Sequence, residues 1–293
     1  MRTFCLSTTI IVGFILAGIA KANDVIEGGS GRFYHQDISS GEKRDISVYY
    51  HLPDNYVPNR PILFVMHGNS RTAVRYWRQW HEVAEAYNVL ILVPEFDKFD
   101  FPGSVSYHSG GMYDVVSGED KPPYQWTFSI INRIFEQTKK LTNATQETFF
   151  IYGHSAGAQF VHRYLTFTGA SKVQRAVAAN AGWYTLPVLE DEFPYGLKGS
   201  PATIADLAPL FSQHLIILLG ENDTKQTRSL RQTFEAMEQG AHRLERGKHY
   251  YATGKRVATT LKLPFNWRIQ TVPGVGHSNR GMAPFAAKIL FDN

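Results

Sequence analysis

The chain has 293 residues, 43% of them hydrophobic and 13% aromatic, with 30 Lys and Arg against 26 Asp and Glu. That is enough apolar material for one large α/β domain or two small ones, and no linker-like stretch divides it. The formal charge of +4 falls to +2 without Arg2 and Lys21, and no Lys/Arg-rich run occurs, which argues against nucleic acid as a partner.

The N-terminus reads as a leader. Arg2 precedes an apolar run over 10–19, followed by Ala20-Lys21-Ala22, the small-x-small form of a cleavage site. A signal peptide is therefore expected over 1–22. The run is short of the roughly 20 residues that span a bilayer. The mature chain, 23–293, is expected to be secreted or periplasmic, with no stable membrane association after cleavage. Cys5, the only cysteine, lies within the leader, so neither a disulfide nor thiol chemistry is expected afterwards. That fits a bacterial exported protein held together by its core.

Two strands are predicted over 31–38 and 44–53, paired around the polar turn 39–43. The apolar run 61–66 has the composition of a strand buried on both faces and ends in His67-Gly68-Asn69. A helix follows, with Tyr76, Trp80, Val83, Ala84 and Tyr87 on one stripe, then a buried strand over 89–94. Residues 95–124 form a connection too long to be an ordinary loop, of the kind that shapes a site. A helix over 126–141 leads to the strand 148–151 and then to Tyr152-Gly153-His154-Ser155-Ala156-Gly157. A helix comes next, marked by Phe160, Val161, Tyr164 and Leu165. The strand 173–181 is followed by an excursion over 183–213, read as a small cap. Further elements are a strand over 215–220, a helix over 226–239, a last strand over 267–272 and a closing helix over 280–291. Strands alternating with helices predict an α/β fold: a mostly parallel sheet, helices on both faces, and ligands beyond the carboxyl ends of the strands.

The GxSxG stretch sits between strand and helix. There its glycines let the two elements approach and force Ser155 into a sharp, exposed turn at a helix N-terminus, the position of a nucleophile. A serine hydroxyl needs a base, and the base needs a third group to fix its tautomer. Asp223 follows the strand 215–220 in the Glu221-Asn222-Asp223 loop, and His277 follows the last strand in Gly274-Val275-Gly276-His277. Glu221 is the rival carboxylate. His67 and His154 read as backbone-fixing residues rather than as participants.

The order Ser155, Asp223, His277 resembles that of the α/β-hydrolases, over roughly residues 45–291. The His-Gly-Asn loop, the leader and the aromatic loops are similar to the polyhydroxybutyrate depolymerase-like and feruloyl esterase-like branch. Asn69 stands where many members carry cysteine. The resemblance implies a serine hydrolase acting on small or polymeric carboxylic esters through an acyl-enzyme. The Asn69 and Ala156 amides would form its oxyanion hole. Amide cleavage by the same three residues, and a binding protein of this fold without chemistry, are the alternatives. Trp183 and Tyr107 are the candidate substrate-binding aromatics. Arg71, Arg75 and Arg78 are spaced as one helix face, read as solvated, with Arg78 paired to Glu82. No HExxH, spaced Cys/His set or GxxxxGK[ST] occurs, so neither a metal nor a cofactor is expected.

Overall fold

The computed structural model describes Ile26 and residues 28–41 and 43–292. The leader over 1–22 lies outside the described residues, and none of the described helices is long and apolar enough to cross a membrane.

The chain opens with β1 (Gly29–Asp37) and β2 (Arg44–Leu52), an antiparallel pair. It continues through β3 (Ile62–Met66), α1 (Ala73–Tyr87), β4 (Leu90–Pro94), α2 (Thr127–Thr142), β5 (Phe149–His154) and α3 (Ala156–Thr168). Then come β6 (Val173–Ala179), α4 (Leu207–Ser212), β7 (Leu215–Gly220), α5 (Phe234–Glu238), α6 (Arg243–Thr260), β8 (Arg268–Val272) and α7 (Asn279–Phe291). The eight strands form one sheet in the order β1-β2-β4-β3-β5-β6-β7-β8. From β4 to β8 every pairing is parallel, and β2 joins β4 antiparallel.

The apolar runs explain the layers. Every residue of β3, β4, β5 and β7 is buried, because alternate side chains serve opposite faces. Ile62, Phe64 and Ile151 pack beneath α2 and α3, while Leu63, Val65, Ile91 and Tyr152 pack beneath α1 and α7. The parallel crossovers bring the loops after β3, β5, β6, β7 and β8 to one rim. The fold is that of an α/β-hydrolase.

Three features depart from the sequence reading or refine it. The helix expected over 226–239 is only the five-residue α5, and a longer helix, α6, lies beyond it. Arg71 precedes α1 instead of lying on it. The insertion over 183–213 has two parts. Near the rim, Trp183 rests against Tyr195. Further on, α4 descends to the start of β8, where Leu210 and Phe211 accept from Trp267 Nε1 and the Asn266 amide. Parallel β6 and β7 require such a return.

Candidate active site

Ser155 lies between β5 and α3 with φ 60° and ψ −117°, left-handed territory that a non-glycine residue enters only under constraint. Its amide donates to Ala179 O at 2.9 Å, which pins the turn to the neighbouring strand. The flanking glycines are steric necessities. A Cβ on Gly153 would stand 2.1 Å from Gly157 O, and one on Gly157 would stand 2.0 Å from Met66 O. Strand, helix and the end of β3 therefore meet with no room for a side chain.

The structure brings the three residues singled out from sequence into one hydrogen-bonded line. Ser155 Oγ is 3.1 Å from His277 Nε2, and His277 Nδ1 is 2.7 Å from Asp223 Oδ2. Asp223 is 2% exposed while His277 stands at the surface, the arrangement needed to hold one ring nitrogen firmly and offer the other to a substrate. Glu221, the rival, turns to the surface and accepts from Thr271 Oγ1. An imidazole so placed can take the hydroxyl proton, and the carboxylate beside it stabilises the resulting cation.

Two supports were not visible in the sequence. Arg243, on α6 and 1% exposed, approaches Asp223 Oδ1 at 3.4 Å. Asn180, buried after β6, spans two loops: its Nδ2 donates to Gly276 O and its Oδ1 accepts from the Gly220 amide. An asparagine just past a strand end at a sheet crossover was the available signal.

The loop after β3 packs against the serine. A Cβ on Gly68 would lie 3.7 Å from Ser155 Cβ, and the Arg71 amide donates to Gly68 O, so Asn69 occupies the tip of a tight turn. Ala156 is the first residue of α3, where an amide has no acceptor within the helix. His67 is fully buried: its Nδ1 donates to Gly68 O and its Nε2 accepts from the Phe96 amide. Burial, with help from Arg71, pushes its pKa down to about 3, so it is neutral.

Several expected contacts move inward. Tyr107 has no exposed surface, because its hydroxyl donates to His67 O and its ring stacks on the His67 imidazole. It underpins the loop and does not face substrate. Arg71 is likewise buried; its guanidinium donates to Phe96 O and Gly103 O and lies 4.1 Å over the Tyr107 ring. It is therefore not the solvated residue that its spacing implied. Trp183 is only 4% exposed, covered by the Arg163 and Arg231 guanidinium groups at 4.1 and 4.8 Å. The Arg78–Glu82 pair is not among the ion pairs of the described residues.

An eight-stranded, mostly parallel sheet with a strained serine at the β5–α3 turn defines the α/β-hydrolase class. Within that class the chain belongs to the family of two solved depolymerizing hydrolases. One is poly(aspartic acid) hydrolase-1 from Sphingomonas sp. KT-1, with 40% identity and a TM-score of 0.86 over 91% of this chain and 100% of that one. The other is LpqC, a poly(3-hydroxybutyrate) depolymerase from Bordetella parapertussis, with 34% identity and a TM-score of 0.87 over 91% of this chain and 90% of that one. A ferulic acid esterase, at 15% identity and a TM-score of 0.51 over 90% of this chain and 97% of that one, shares the fold. No protein-family model matches the sequence, and neither does any curated protein. The protein is a hydrolase.

Proposed function

We propose that the protein is an exported serine hydrolase that cleaves carboxylic esters, small or polymeric, through an acyl-enzyme. The observation that carries this reading is the unbroken line from Asp223 through His277 to Ser155. Ser155 Oγ attacks the ester carbonyl as His277 Nε2 takes its proton. The oxyanion is held by the Asn69 and Ala156 amides, and collapse expels the alcohol with the proton returned by His277. Water then attacks the acyl-enzyme with the same base. In this reading Asp223 holds the Nδ1–H tautomer, and Arg243, 3.4 Å from Asp223 Oδ1, braces the carboxylate in place.

Ser155→Ala is expected to lower p-nitrophenyl ester turnover by about a thousandfold or more while the melting temperature stays within about 2 °C. Retained turnover sinks the reading. The leader supports export, and N-terminal sequencing of protein recovered outside the cytoplasm is expected to begin near Asn23; an intact Met1 there contradicts it.

Cleavage of an anionic polyamide or polyester is the second reading. It draws support from the relative named for poly(aspartic acid) and from Arg163 and Arg231 beside Trp183, which have no carboxylate partner within 4.0 Å among the described residues. Matched ester and amide substrates carrying one acyl group, with and without a free carboxylate, separate the two readings.

A further inference from the structure

His154 precedes the serine, and the hydrolytic mechanism leaves it without a role. Its side chain is 3% exposed and shares a face of β5 with Tyr152, the face covered by α1 and α7. Both side chains reach the segment that carries His277. Tyr152 donates its hydroxyl to Asn279 Oδ1 at 2.8 Å, and the His154 ring lies 4.6 Å from the His277 ring, centroid to centroid, with 36° between planes. Helix α1 braces both His154 and Asn279. Its Tyr76 hydroxyl is 3.1 Å from His154 Nδ1, and Gln79 Oε1 accepts from Asn279 Nδ2 at 2.5 Å. The Tyr76 hydroxyl also abuts Gly68 of the loop beside Ser155, lying 2.7 Å from where a Cβ on that glycine would be.

This arrangement meets a need that the two hydrogen bonds of His277 leave open. Bonds to Asp223 and Ser155 hold the two ring nitrogens in line but leave the ring free to slide and tilt toward its open faces, which lengthens the contact between Nε2 and Oγ. A flat surface against one face of the ring removes that freedom. We propose that His154 is a positioning residue for His277: its ring, pinned by Tyr76, is the plate on which the imidazole rests while it takes the Ser155 proton. The role suits an uncharged ring. Burial, then the nearby His277, Arg243 and Arg75, hold the His154 pKa well below its ordinary value, so it adds no repulsion when His277 becomes cationic.

The inference rests on His277 being the base, and the test separates the two claims. Phosphonylation of Ser155 by a fluorophosphonate is timed alongside kcat and KM for a neutral p-nitrophenyl ester, normalised to titrated active sites. His154→Ala is expected to slow both phosphonylation and kcat by about tenfold with KM within about twofold. His154→Phe, which keeps a flat ring, is expected to recover to within about threefold of the wild type, and Tyr76→Phe to lose about threefold. Should His154→Ala fail to fold, His154→Gln, polar and of similar reach but without a ring, takes its place beside His154→Phe. Unchanged phosphonylation in His154→Ala, a loss confined to KM, or a His154→Phe as slow as the ringless variant overturns the proposal. Failure of the wild type to be labelled overturns the underlying hydrolytic reading instead.

Discussion

Arg163, Arg243 and Arg246 are each at most 1% exposed, and Arg231 lies half-buried beside them. A buried charge is costly unless paired, yet only Arg243 has a carboxylate within 4.0 Å among the described residues, namely Asp223. Arg163 instead donates to Thr185 Oγ1 and His108, and Arg246 to the carbonyls of Gly240, Gly182 and Arg231. Burial lowers the Arg163 pKa to about 9, and the neighbouring Arg231 adds to the effect. In the wall beside Trp183, Arg163 and Arg231 thus have no carboxylate within 4.0 Å among the described residues, and an anionic substrate group would supply one. Under the second reading above, Arg231→Gln is expected to lower kcat/KM about fivefold for an ester bearing a free carboxylate, with neutral esters unchanged, and 0.5 M salt is expected to erase the difference. Equal effects on both substrate types count against anion recognition by this wall.

At the scale of elements, the antiparallel edge of the sheet is held by a buried carboxylate. Asp37, at the end of β1 and 1% exposed, accepts from Arg44 of β2 at 2.6 Å and Arg133 of α2 at 2.7 Å, tying the antiparallel pair to the helical layer. Burial by itself raises the Asp37 pKa, but Arg133, Ser39 and Arg44 together outweigh it and hold the group below the usual carboxylate value. With the folded pKa below the unfolded one, this contribution is present above the ordinary carboxylate pKa and fades as pH falls through the folded value. Asp37→Asn is therefore expected to cost about 3 kcal/mol at pH 7, and its deficit in urea unfolding is expected to shrink once the pH drops below about 4. A constant deficit down to pH 3 contradicts that account. Elements such as β3, β4, β7 and α1 were legible because continuous apolar runs and a helical stripe leave few other solutions. Residues 243–260 hid α6 because its buried face is Arg243, Arg246, Gly247, Tyr250 and Gly254, with hardly an aliphatic residue. Its glycines are packing requirements: a Cβ on Gly247 would stand 2.3 Å from Leu219, and one on Gly254 would stand 2.6 Å from Trp267. Among candidate site residues, Ser155, Asp223 and His277 announce themselves by their places after strands. The inward turn of Tyr107, Arg71 and Trp183 depends on carbonyls and rings from distant loops, which a linear pattern does not encode.

For the molecule as a whole, four of the six buried histidines among the described residues, those whose pKa is held down furthest, dominate the response to acid. His67, His108, His154 and His162 are 0 to 5% exposed, and burial holds each below its ordinary pKa of 6.5, to about 3 for His67. Neighbouring arginines push the same way: Arg71 for His67, Arg163 for His108 and His162, and Arg243, after His277, for His154. Geometry requires neutrality in three cases. His67 Nε2 accepts from the Phe96 amide, His162 Nε2 from the Thr185 amide and His108 Nδ1 from Arg163. Protonation would destroy each bond, and those bonds fasten both long rim loops to the core. Because the unfolded chain binds protons that the native state refuses, stability is complete above pH 6.5 and falls as pH drops below it, by up to about 1.4 kcal/mol per pH unit for each ring. Urea unfolding is therefore expected to show a loss of about 4 to 6 kcal/mol between pH 7.5 and 5.5, a large share of a typical domain's stability. Unfolding at pH 5.5 is expected to take up between about three and four protons. This window lies above the range in which Asp37 titrates, so the two effects separate. A stability flat from pH 7.5 to 5.5 requires that these rings are charged in the native state, against every hydrogen bond they accept; a loss confined to below pH 4 assigns acid sensitivity to carboxylates alone.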